Sequence, residues 1–179
     1  NDGYIYGAGF IGGDEADTIF VVYGGRAMII KVNPINGNEL WTHVNSETEY
    51  AMGIVEAFPG DFYYGSTNYD ESLTLTKMQL DGLEVWTRDL SNTEMTIPAD
   101  LGISSDNTIY YGGHTPRPGP GEPFDYSLIK IDLEANVDWV QHYAGPRGYD
   151  LGYIRNELYG IKVALSLIHI SEPTRRDQI

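Results

Sequence analysis

Cysteine is absent from the 179-residue chain, which excludes disulfides, thiolate metal sites and cysteine nucleophiles. Basic side chains are scarce: 11 Lys and Arg stand against 26 Asp and Glu, a formal charge of -15. Nucleic acid and anionic membrane surfaces both require a basic footprint, so neither is expected as a partner. No apolar run approaches the roughly 18 residues of a membrane span, so membrane insertion is not expected either. A signal sequence is also lacking, and the chain opens at Asn1 without an initiator methionine. That opening reads as a chain without its natural N-terminus and any export signal carried there. Apolar residues nowhere keep helical spacing for long. No Ser-His-Asp order, P-loop or dinucleotide fingerprint occurs, and the glycines are of the turn-forming kind rather than leading into helices.

What the chain does contain is a repeat. Residues 29–41 (IIKVNPINGNELW) are restated at 75–86 (LTKMQLDGLEVW) and at 128–139 (LIKIDLEANVDW), each a strand, a turn and a strand ending on tryptophan. From Trp41 to Trp86 is 45 residues and from Trp86 to Trp139 is 53, a period typical of repeat architectures. Asn36-Gly37 and Asp81-Gly82 are hairpin signals inside the first two copies. A second column is an aromatic strand ending in Tyr-Gly, at 18–24 (TIFVVYG), 62–65 (FYYG), 108–112 (TIYYG) and 158–160 (LYG). A third is a glycine in a short apolar segment: Gly9, Gly53, Gly102 and Gly152. Glycine within a strand marks a bulge or close backbone approach, as expected of innermost strands crowded around an axis.

Each unit therefore reads as four antiparallel strands. The spacing predicts them at 5–11, 18–24, 27–33 and 38–44, then 51–56, 62–66, 73–79 and 84–89, then 99–104, 108–113, 126–132 and 136–143. A further half unit is predicted at 149–154 and 157–163. Four-stranded units of this period are expected to form a β-propeller, so the fold class expected is all-β, a propeller fragment of about three and a half four-stranded antiparallel blades. The blades fall near 5–44, 51–89 and 99–143, with a half blade at 149–163, all within a partial propeller domain at 1–164. Trp41, Trp86 and Trp139 are the expected plugs between blades, since one indole buries about 150 to 250 Å². An open arc leaves two apolar blade faces uncovered, so self-association is expected.

The pattern of aromatic strand, Lys-centred strand, Asn/Asp-Gly turn and Leu/Val-Trp resembles the tryptophan-docking repeat of pyrroloquinoline-quinone-like propellers. The best match is 33–41 (NPINGNELW), which departs at Asn33, where the family usually has Asp; Asp132 restores it in the third unit. The second unit is one residue shorter across its turn, and the third has Ala135-Asn136 in place of the turn glycine. That repeat is shared by quinone-dependent dehydrogenases, noncatalytic envelope scaffolds and secreted repeat proteins. The dehydrogenases resemble one another in a calcium site of Glu, Asn and Asp, often beside a cysteine pair. This chain has no cysteine and no cluster that aligns with those ligands, so no cofactor and no metal are expected in it.

In propellers the loops joining the second to the third strand, and the fourth strand to the next blade, share one rim. That rim is expected to hold 41–50, 65–71 and the insertion 114–125 (HTPRPGPGEPFD), stiffened by proline at 116, 118, 120 and 123. Its candidate binding residues are His43, His114, Arg117 and His142. Imidazoles at matched radial positions could bind a transition metal, but the reading preferred is exposed strand-end histidines. Asp14, Glu15 and Asp17, like Asp70 and Glu71, form oxygen-rich loops without calcium-loop spacing, and read as solvated turns. Lys31, Lys77 and Lys130 recur because their strand position recurs, and are expected to pair with neighbouring acids.

The function expected is a noncatalytic binding or scaffolding module of a secreted or cell-envelope protein, displaying rim loops to a protein or glycan partner. The alternative is a fragment of a propeller enzyme, such as a quinone-dependent dehydrogenase, with its catalytic residues outside this segment. A third reading is a structural repeat of an adhesin or surface layer. Residues 165–179 stand apart from all of this. They resemble a translated sequencing adapter and are read as a non-native tail.

Overall fold

A computed structural model of the chain describes residues 3–12, 25–68, 72–115, 125–143 and 160–164. Strand accounts for 65% of them, with no α-helix, so the protein is all-β. In order the strands are β1 (Ile5–Ile11), β2 (Arg26–Val32), β3 (Glu39–Asn45), β4 (Thr48–Ala57), β5 (Asp61–Asn68), β6 (Leu73–Met78), β7 (Glu84–Asp89), β8 (Ile97–Ile103), β9 (Ile109–Thr115), β10 (Asp125–Ile131) and β11 (Val137–Tyr143). They form three antiparallel meanders: β1-β2-β3 (sheet 1), β4-β5-β6-β7 (sheet 2) and β8-β9-β10-β11 (sheet 3). The predicted strands at 18–24 and 149–154, Arg117 with most of the insertion, and the tail 165–179 lie outside the described residues.

Sheet 2 lies between the other two and buries both faces. Alternation along β5 divides its aromatic run between them. Phe62 and Tyr64 join Ala27, Ile29 and Trp41 of sheet 1, whereas Tyr63 joins Leu101, Ile109, Tyr111 and Ile129 of sheet 3. A strand covered on both sides has no polar face, which is why 62–64 reads as an unbroken aromatic run. The first strands of sheets 2 and 3 make the closest approach, with β4 against β1 and β2, and β8 against β4 and β5.

Register corrects one expectation from the sequence. Residues 5–11 were expected as the first strand of their unit, but β1 pairs antiparallel with β2 and sets Tyr6 opposite Lys31. Tyr63 stands opposite Lys77 and Tyr110 opposite Lys130 in the same way. β1 therefore occupies the second-strand position, equivalent to β5 and β9. Gly9 thereby leaves the glycine column, whereas Gly53 and Gly102 keep first-strand positions pressed against another segment. Gly9 lies in this second position, Gly53 in a β4 bulge at positive φ, and Gly102 directly opposite Tyr110. The half unit differs too: residues 160–163, expected within a strand, are not in strand conformation. They lie against β8, where the Ile161 amide donates to Asp100 Oδ2 at 2.9 Å.

The hairpins that follow the Lys-centred strands explain the turn sequences. Gly37 (φ 72°) and Gly82 (φ 90°) take left-handed conformations open to glycine at little cost, and Ala135 (φ 64°) takes one with its methyl group in place. Asp132 compensates within that third turn. Its Oδ1 accepts the amides of Glu134 (2.9 Å) and Asn136 (2.8 Å), and Oδ2 accepts the Asn136 side chain (2.8 Å). Asn33, at the matching position of sheet 1, accepts the Ile35 amide at 2.9 Å.

Burial alone would raise the Asp132 pKa, but the side-chain and backbone donors of Asn136 and the Glu134 amide outweigh it and hold the carboxyl below its ordinary range. A carboxyl depressed on folding adds stability above its unfolded pKa, about 3.9, and loses it as pH falls through the lower folded value. Asp132→Ala is therefore expected to melt below the wild type at neutral pH, by a gap that narrows as pH falls below about 3.9. Thermal denaturation across that range checks this, and a gap independent of pH removes the carboxylate from the explanation.

Candidate functional site

Each sheet carries one cross-strand ladder of three side chains, set by direct register: Tyr6–Lys31–Trp41, Tyr63–Lys77–Trp86 and Tyr110–Lys130–Trp139. The first ladder packs on the β6–β7 hairpin of sheet 2. Trp41 stacks on Phe62 (centroids 6.0 Å, 12° between planes), and its indole lies so close to Gly82 that a Cβ there would sit 3.0 Å from it. Lys31, buried, donates to the Leu80 carbonyl at 3.1 Å and stands 4.4 Å above the Tyr4 ring. In the second ladder, the Tyr63 hydroxyl donates to the Leu133 carbonyl at 3.2 Å, two residues past β10 just as Leu80 is two past β6. Trp86, with Leu133 and Ala135, packs around the core shared by sheets 2 and 3. Trp139 meets Tyr110 of its own sheet, centroids 6.2 Å apart.

Lys77 and Lys130 bond carboxylates, Asp61 at 2.9 Å and Asp138 at 2.7 Å, and these raise both ammonium pKa values. Lys31 reaches across the sheet boundary to a backbone carbonyl.

The tight hairpins all point to one end of the sheets. The opposite end carries the β3–β4 turn at Ser46 and Glu47, the β5–β6 loop, the β7–β8 connection and the β9–β10 connection that contains the insertion. His43, His114 and His142 all lie towards this second end, but they do not converge. His43 is two residues after Trp41 and shares its face, whereas His142 is three after Trp139 and takes the opposite face. Among the described residues, no three His, Asp or Glu side chains group to hold a metal ion. Asp14, Glu15, Asp17, Asp70 and Glu71 lie outside them.

His43 belongs to a polar network between sheets 1 and 2. Its Nε2 is 3.3 Å from Glu84 Oε2 without hydrogen-bond alignment, so the contact becomes an ion pair only when the imidazole is protonated. Beside it, the buried Asn45 amide donates to Glu84 Oε2 (3.0 Å) and to the Tyr64 hydroxyl (3.1 Å). Thr87 donates to Glu84 Oε1 at 2.9 Å and shares a 2.8 Å bond with Thr76. Burial raises the Tyr64 pKa against the lowering effect of its Thr76 and Asn45 bonds, which keeps the phenol neutral.

His142 stands opposite Ser127 in the β10–β11 register, with Nδ1 2.8 Å from the serine oxygen and 3.3 Å from Thr115 Oγ1. The Ser127 and Thr115 hydroxyls bond each other in turn. Ser127 is wholly buried, so this serine–histidine pair fixes the imidazole and offers no accessible nucleophile. His114 is buried in β9, between Ile97 and Tyr126 in register.

Sequence reasoning missed Asn45, Tyr64, Thr115 and Ser127. The only available signal was strand parity counted from Trp41 and Lys130. At the hairpin end, an open groove of about 380 Å³ is lined by Pro59, Gly60, Asp61, Gln79, Leu80 and Asp81. Phe58 beside it is 82% exposed, its backbone held by both ends of the Asn107 amide (3.1 and 2.8 Å). Compared with known proteins, the chain matches no family model and no curated protein.

Proposed function

We propose that sheets 1 to 3 are consecutive blades of a β-propeller of the tryptophan-docking kind. On this reading the protein is a noncatalytic binding or scaffolding module of a secreted or cell-envelope protein. The observation that carries the reading is the Tyr–Lys–Trp ladder repeated in three successive sheets, docked at Trp41 on the hairpin of the next. The mechanism is rigid display. Interlocked sheets hold one end fixed, and the loops at that end, with Arg117 and the proline-rich insertion foremost, choose a protein or glycan partner, while His114, buried in β9, anchors the insertion's first strand. The best-formed polar clusters near this end, around Glu84 and around Ser127, serve to join strands and sheets, which favours binding by the loops over chemistry in a cleft.

Binding of the full chain to immobilised glycans and to extracellular protein ligands tests the proposal. Replacing 116–123 with a short Gly-Ser linker is expected to weaken a bound partner at least about tenfold, roughly 1.4 kcal/mol, with the melting temperature retained. Affinity that survives the replacement removes the insertion from the site. Failure to bind either class of ligand defeats the display reading.

A further inference from the structure

The two sheet interfaces repeat one geometry. A forward face bearing the Tyr–Lys–Trp ladder covers the rear face of the next sheet, where Phe62 and Tyr64 in sheet 2, and Ile109 and Ile129 in sheet 3, are fully buried. Sheet 1 has a rear face of the same make. Alternation places the apolar side chains of Ile5, Met28, Ile30, Val32, Leu40 and Val44 there, with Thr42 opposite Ile30 and two charged residues at the strand ends, Arg26 opposite Ile11 and Glu39 opposite Val32. Yet none of the six is buried: Ile5 is 55% and Leu40 47% exposed, and the other four are half-buried. The alternate residues Ala27, Ile29 and Lys31 of the same β2 strand face sheet 2 and are buried.

Sheet 3 offers the complement. Its forward face presents the third ladder, Tyr110–Lys130–Trp139. The Lys130 side chain is 33% exposed, against 17% for Lys77 in the covered second ladder. Residues 160–164 of the same chain already cover the β8 part of this face: Gly102 stands opposite Tyr110, and a Cβ there would meet Ile161 and Val163 at 2.9 Å, which leaves the ladder on β9, β10 and β11 for a further partner.

We propose that a second copy of this chain covers these faces, the forward face of sheet 3 in one copy docking on the rear face of sheet 1 in the other. The contact continues the packing already present twice within the chain. Trp139 comes down on the 33–37 turn of the neighbour as Trp41 does on Gly82, and Lys130 reaches the Pro34 carbonyl as Lys31 reaches that of Leu80. Such an interface is heterologous, joining two different patches head to tail, so each copy keeps one face of each kind to offer. The inference rests on this repeated packing and not on the rim or its partner.

Sedimentation or light scattering of the full chain between about 1 and 100 µM tests it. The average mass is expected to rise with concentration to two chains or more. A single-chain mass throughout overturns the proposal and assigns the cover to residues 13–24 or 144–159 of the same chain. Trp139→Asp and Ile30→Asp each spoil one face, so each alone is expected to stay single-chained. An equimolar mixture, holding one intact pair of faces, is expected to recover a two-chain species. A mixture that stays single-chained, or a Trp139→Asp protein that still associates, rules out the head-to-tail contact. The wild-type concentration series decides the matter by itself if either variant fails to fold.

Discussion

Gly65→Ala is expected to destabilise the protein by about 3 kcal/mol or more, through a residue in another sheet. A Cβ at Gly65 would lie within the Tyr111 ring edge, 2.7 Å from Cε2 and closer still to the hydroxyl end. The ring cannot withdraw, because it is fully buried and its hydroxyl is tied to sheet 2, donating to the Thr74 carbonyl at 3.2 Å and lying 3.4 Å from that of Ser66. Burial drives the Tyr111 pKa well above the usual phenol range, so the group remains a neutral donor at any pH at which the fold survives. The added methyl must then either displace the ring, breaking bonds to buried carbonyls, or bend β5 away from β9. Equilibrium unfolding of Gly65→Ala, Tyr111→Leu and the double variant checks the cause. Shortening the side chain at 111 makes room, so the double variant should be more stable than the two single losses predict, by about 1 kcal/mol or more. Losses that add to within about 0.5 kcal/mol would place the effect in β5 itself.

Gly53→Ala should cost about as much by a different route. The residue sits at φ +74° in the β4 bulge, where an L side chain costs about 1–2 kcal/mol. Its Cβ would also stand 2.5 Å from the Leu101 nitrogen and 2.8 Å from Asp100 Cα. These are backbone atoms of β8, which no rotamer change can move, so overpacking adds about 1–3 kcal/mol. Gly9→Ala supplies the contrast, because a Cβ there meets nothing within 4 Å. It is expected to change stability by less than about 1 kcal/mol. Melting curves of the two variants side by side decide the point, and equal losses would mean that the two glycines share one environment after all.

That contrast marks where sequence reading reached its limit. Gly9 and Gly53 look alike because each precedes two apolar residues, and local pattern carries nothing about what stands across the sheet boundary. The histidines fail in the same way. Position after a tryptophan was legible, but two residues and three residues after it are opposite faces of a strand. His43 is thereby set against Glu84, and His142 against Ser127. The rank of β1 was hidden because residues 5–11 satisfy the alternation of a first or a second strand equally well. Only the partner decides between them, and Tyr6 opposite Lys31 settles it.

The sequence by itself determined the all-β class, the Lys-centred strands, the hairpin turns and the recurrence of tryptophan. All of these are local consequences of β-branched and aromatic residues in alternation, and of glycine or a bonded Asn or Asp where the backbone turns left-handed. Tertiary structure alone decided which face each sheet turns to its neighbour, which glycines lie under another sheet, and which polar side chains are spent joining sheets. Those are matters of non-local contact, and strand parity turns an offset of one residue into the opposite side of the molecule.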